Sequence, residues 1–151
     1  MPWEYRPWGC GAGRNGSCND GWIQFEICEP TDLKDPNYFS QIYREGCEIT
    51  AYLCKMFNID PEGTTTCGKV KVPTILCHHD SYLYGVGSGH GDINHWFPYF
   101  GKDMSTVRKD VATLLKNNRE EDEEDMTQEK FNEMMNEYIR SVSEKGPSEW
   151  S

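Results

Sequence analysis

The four histidines of this 151-residue chain, His78, His79, His90 and His95, all lie between positions 78 and 95. Asp80 and Asp92 fall in the same stretch. Imidazole and carboxylate are zinc donors, and a catalytic zinc takes three protein ligands and keeps a fourth position for water. A single loop histidine serves as readily to hydrogen-bond its own loop. Four together, in a chain with none elsewhere, point to a site. Glu26, within WIQFEIC, is the other chemical candidate. By alternation it points off the packed face of its segment, so its carboxylate is either solvated or lines a cleft.

These groups need elements to hold them. Trp22–Cys28 alternates, with Ile23, Phe25 and Ile27 facing one way and Gln24 and Glu26 the other. That pattern predicts a strand with one buried face. Val70–Cys77 (VKVPTILC) predicts a second strand. It would deliver His78, His79 and Asp80 where the chain leaves the sheet, and ligand sites in open α/β sheets gather beyond such strand ends. Residues 81–104 then form a long loop rich in glycine and aromatics, a length that is usually functional.

Asp35-Pro36 reads as an N-cap with proline at the first helical position. Phe39, Ile42, Tyr43, Ile49, Leu53, Met56 and Phe57 follow on one stripe, so a helix is expected over Pro36–Phe57. Gly63–Gly68 reads as a turn or short hairpin. Met104, Val107, Val111, Leu114 and Leu115 make another helical stripe, ending at Asn117-Asn118. Gly9–Asp20 is a glycine-rich loop, not a phosphate loop, since no Gly-Lys-Ser/Thr follows.

The length suits one domain with a short appendage. No apolar run approaches the roughly 20 residues of a membrane span, and MPWEYRPWGCGAG shows no signal peptide. A net charge of −10 argues against nucleic acid or an anionic membrane surface as partner. The charge is concentrated: residues 119–151 hold 11 of the 25 acids and 4 of the 15 bases. Arg119–Asp125 (REEDEED) repels itself and reads as solvated linker, with a solvated helix surface as the alternative. The expected division is a body over residues 1–118, an acidic linker over 119–126, and a helix with the start of a connector over 127–151. Thr127 is the N-cap of that helix, Met126 and Phe131 its hydrophobic staple. Phe131, Met134, Met135, Tyr138, Ile139 and Val142 form one apolar face, read as docking surface. The seven cysteines show no Cys-x-x-Cys pair, so a zinc ribbon is not expected. They read as small buried hydrophobes in a chain made in a reducing cytosol, with disulfides as the alternative.

Two segments, PWEYRPWGCGAGRNGSCNDGWIQFEICEP and VPTILCHHDSYLYGVGSGHGDINHWFPYFGKDM, resemble the type 2 N-acetylmuramoyl-L-alanine amidases. These are zinc peptidoglycan hydrolases of bacteria and phages, related in fold to the peptidoglycan recognition proteins. The particular look is that of endolysins and autolysins of Gram-positive anaerobes and their prophages, and it covers residues 1–116. The resemblance implies an α/β fold, a mixed central sheet flanked by helices near 36–57 and 103–116. It implies zinc held by His78, with His79 as runner-up, and by Asp92. Glu26 matches the general base or water-orienting group, and His90 the basic residue that stabilises the transition state. Trp22, Tyr82, Tyr84 and Trp96 are expected either to line a groove for sugar and peptide or to pack in the core. His95 matches a recurrent feature with a structural role.

The implied reaction is hydrolysis of the amide between the lactyl group of N-acetylmuramic acid and the first L-alanine of the stem peptide. The implied partner is bacterial peptidoglycan. The protein would be made in the cytoplasm and act at the cell wall. Two departures bear on this. The family's first zinc histidine lies on an early strand ahead of the segment matching PWEYRPW, and this chain has no counterpart. Gly9 stands where relatives often carry histidine. Weak or no activity is therefore expected of the chain as given. The rival expectations are a catalytically impaired peptidoglycan-binding module, and an interaction protein that docks through its acidic tail and methionine-rich helix.

Overall fold

The computed structural model describes residues 9–19, 21–125, 131–133, 135–137 and 139–140. Residues 2–8 lie outside that set, as do Met126, Thr127, Met134, Tyr138 and Val142. The chain divides into two compact units, Met1–Leu115 and Lys116–Ser151.

The first unit mixes helices with two small antiparallel sheets. β1 (Ala12–Gly13) pairs with β2 (Gly16–Ser17), and β3 (Thr64–Cys67) pairs with β4 (Val70–Pro73). The mixed central sheet expected from the resemblance does not occur among the described residues. Trp22–Cys28 forms no ladder; Ile23 and Phe25, expected inward, are exposed. β4 stops at Pro73, four residues before the expected end at Cys77. Proline has no N–H to continue a ladder.

α1 (Pro36–Phe57) forms where its local signals put it. The Asp35 carboxylate accepts from the N–H groups of Asn37 at 2.9 Å and Tyr38 at 3.2 Å. Such a cap contributes about 1 kcal/mol. Asn58, left-handed at φ 52°, closes the other end. The buried face differs from the expected stripe. Phe39, Cys47, Ala51 and Cys54 are inside, while Ile49, Met56 and Phe57 are exposed. The small residues allow close packing against Val111 and Leu115 of α3 (Met104–Asp125). Phe39 anchors an aromatic core, with ring centroids 4.0 Å from Phe100, 5.3 Å from Phe97 and 5.6 Å from Trp96. Burying side chains of this size contributes roughly 2–3 kcal/mol each.

The glycine-rich segment from Gly9 is ordered by two neighbours. Asn15 N–H donates to Gly85 O at 2.7 Å, and Cys18 N–H to Val86 O at 2.9 Å. On the other side Lys69 N–H donates to Asn15 O at 2.8 Å. Gly68, in the β3–β4 turn at φ 58°, sits so close that a Cβ there would lie 2.1 Å from Asn15 O.

The backbone of the acidic run has the helical form given above as the alternative to linker. The backbone of α3 continues as helix through Asp125. Beyond it, residues 131–133, 135–137 and 139–140 are helical, with Phe131, Met135 and Ile139 exposed. No helix among the described residues is long and apolar enough to cross a membrane.

Candidate functional site

After β4 the chain turns into α2 (His78–Leu83), so His78 opens a short helix instead of ending a strand. Cys77 is its N-cap, accepting from Asp80 N–H through sulfur at 3.4 Å. Asp80 is held in turn by Arg108 of α3. The guanidinium donates to the Asp80 carboxylate at 2.6 Å and, through Nε, to Ile75 O at 2.9 Å. Both partners are four-fifths buried, so α2 is pinned to α3 by a charged bond that solvent screens little.

Asp92 returns to this helix from the next turn, the 3-10 segment Asp92–His95. Its backbone is left-handed at φ 48°, a conformation that aspartate tolerates better than most residues. The carboxylate accepts the His78 N–H at 2.7 Å, capping a helix donor that has no partner within the helix. His90 stacks on His78, ring centroids 4.6 Å apart and planes 25° apart. His78, His90 and Asp92 are therefore neighbours, brought together by one helix start and one loop.

The far side of the His78 ring meets groups that the sequence reading missed. Its Nε2 lies 3.1 Å from Cys10 O and 3.0 Å from Ser88 Oγ. Ser88 Oγ also donates to Cys10 O, at 2.9 Å. With the serine proton spent on that carbonyl, Nε2 must bring its own hydrogen, and the lone pair then sits on Nδ1.

The remaining candidates disperse. Glu26 is exposed and has no hydrogen-bonding or ionic partner among the described residues. His79 lies over Tyr82 with centroids 6.5 Å apart. His95 pairs with Glu29 at 2.9 Å, which fits a structural role. Trp96, expected either on a groove or in the core, is 1% exposed and belongs to the aromatic core. Trp22 packs half-buried on the Cys10, Cys18 and Cys67 cluster. Tyr82 and Tyr84 are exposed at the end of α2. Gln24, expected on the face away from the packed side, bridges the first loop: its amide accepts from Cys10 N–H and donates to Cys18 O.

For zinc, the donor types of His78 and Asp92 suit the ion. Their number does not: two donors are one short of a catalytic set. Among the described residues no group of three or more His, Cys, Asp or Glu side chains is arranged to hold a metal. No protein-family model, curated protein or solved structure matches the chain.

Proposed function

We propose that this chain carries the greater part of a peptidoglycan amidase site, directed at the amide between N-acetylmuramic acid and L-alanine. The observation that supports it most is the convergence of His78, His90 and Asp92. The resemblance assigned these three residues to one centre, and they meet although His78 and Asp92 are 14 positions apart. In this reading His78 and Asp92 are two of the metal's ligands, and the ion would need a further donor. In the same reading His90, stacked on His78, donates a hydrogen bond to the oxyanion that develops on the attacked carbonyl. Exposed Tyr82 and Tyr84 offer faces for sugar and peptide. Glu26 is the proton carrier only if its exposed segment closes over bound substrate.

The shortage of donors supports a second reading, a module that recognises peptidoglycan and hydrolyses it poorly. Both readings share the ligand and differ in turnover. Zinc content and release of stem peptides from purified peptidoglycan, measured on the same sample, separate them. Substoichiometric zinc with little or no release is expected for this chain. Stoichiometric zinc with full release would mean that the ligands are misassigned, and His79 or His95 would be the first to consider.

A further inference from the structure

We propose that Cys18 and Cys67 form an intrachain disulfide when the protein folds in an oxidising environment, locking the first loop to the β3–β4 hairpin. The two sulfurs are 3.6 Å apart and belong to residues 49 positions apart in sequence. Both are free thiols, each 4% exposed, in one buried cluster with Cys10, Val72 and Val86. Sulfurs in contact need only a small rotation and shift to reach bonding distance of about 2.05 Å. The hydrogen bonds around them hold the two backbones in place. Cys18 N–H is tied to Val86 O, Cys18 O receives the Gln24 amide, and Lys69 N–H is tied to Asn15 O. Cys10 also touches the Cys18 thiol, but more weakly than Cys67 does; of the rest, Cys47 and Cys54 lie in the α1–α3 core, Cys77 caps α2, and Cys28 is exposed.

The oxidant is a small disulfide such as glutathione disulfide. The Cys18 thiolate attacks one of its sulfurs, the small disulfide bond breaks, and one glutathione thiolate leaves. The Cys67 thiolate then attacks the Cys18 sulfur of the mixed disulfide and expels the second glutathione. Two cysteine thiols have lost two protons and two electrons, and one small disulfide has become two thiols. Burial, reinforced by the Cys67 contact, pushes the Cys18 thiol well above its ordinary range, so Cys18 is a poor nucleophile in the folded, reduced protein. Oxidation therefore belongs to folding, before the cluster closes. Once formed, the bond is shielded from reductants. This inference stands whether or not the amidase reading does.

The test is to refold the full chain from urea in a glutathione redox buffer, trap remaining thiols, and map the peptides without reduction. A single Cys18–Cys67 crosslink is expected, with the other five cysteines trapped as thiols. Oxidised protein should melt at least about 5 °C above reduced protein, because the bond closes a long loop of the unfolded chain. Cys10→Ser should keep the crosslink, whereas Cys18→Ser and Cys67→Ser should lose it. The wild-type peptide map decides the question even if a serine variant fails to fold. Seven trapped thiols, a Cys10–Cys18 link, or one zinc per chain protecting Cys10, Cys18 and Cys67 from oxidation would each overturn the proposal.

Discussion

At the scale of single residues, Asp92 carries two duties that separate experimentally. It caps α2 through the His78 N–H, and in the proposed site it is also a metal ligand. Asp92→Asn keeps an oxygen acceptor and tolerates the left-handed backbone, so the fold should survive within about 0.5 kcal/mol. Its zinc affinity should nevertheless fall at least tenfold, because a neutral amide is a far weaker donor than a carboxylate. Urea midpoints beside zinc titrations check this; equal zinc affinity in the two proteins would remove Asp92 from the ligand set. The sequence exposed this residue by type and neighbourhood. It did not expose Ser88 or the Cys10 carbonyl beside His78, because a backbone oxygen has no signature in residue type. Glu26 shows the converse: an apolar alternation around it suggested a strand, yet Ile23 and Phe25 are exposed and the carboxylate meets no partner among the described residues.

At the scale of elements, one charged contact pins α2 to α3. Arg108→Ala leaves the Asp80 carboxylate, only 20% exposed, without its donor. A loss of roughly 2 kcal/mol is expected in urea unfolding. Asp80→Ala together with Arg108→Ala should cost less than the sum of the two singles. α1 and α3 meet in a second polar contact. Tyr43 and Lys102 both donate to the Asp110 carboxylate at 2.7 Å. Burial opposes the charged form of Asp110, but the bonds from Lys102 and Tyr43 outweigh it and hold the carboxyl below its ordinary 3.8. A depressed folded value means stability that is full above about pH 4 and lost as pH falls through the folded value. Asp110→Asn should therefore flatten the acid limb of the stability curve. The effect should stay near 1 kcal/mol, since the side chain is 38% exposed and partly screened. α1 was legible end to end because Asp35, Pro36 and a periodic pattern are local signals. The sheet was not, because pairing is non-local: Val70–Cys77 looks like one strand until Pro73 ends its ladder and Cys77 caps a helix.

At the scale of the whole molecule, the first unit closes its own cores. Val111 and Leu115, the last buried contacts of α3 within it, precede the unit boundary at Lys116. A chain ending at residue 118 should thus melt within about 3 °C of the full chain; a larger loss would show that the second unit stabilises the first. The acidic run could not be settled from charge alone, since glutamate favours helix as readily as crowded charge favours solvent. The proposed function rests on one site, at His78, His90 and Asp92, whether the protein hydrolyses its ligand or only binds it. The most direct test is a titration of the isotope-labelled protein with a soluble muropeptide containing the N-acetylmuramoyl–L-alanine linkage, followed by NMR. Saturable shifts concentrated at the amides of residues 78–92, diminished in a His90→Ala variant, are the expected result. Saturating ligand that leaves those amides unmoved would contradict the account.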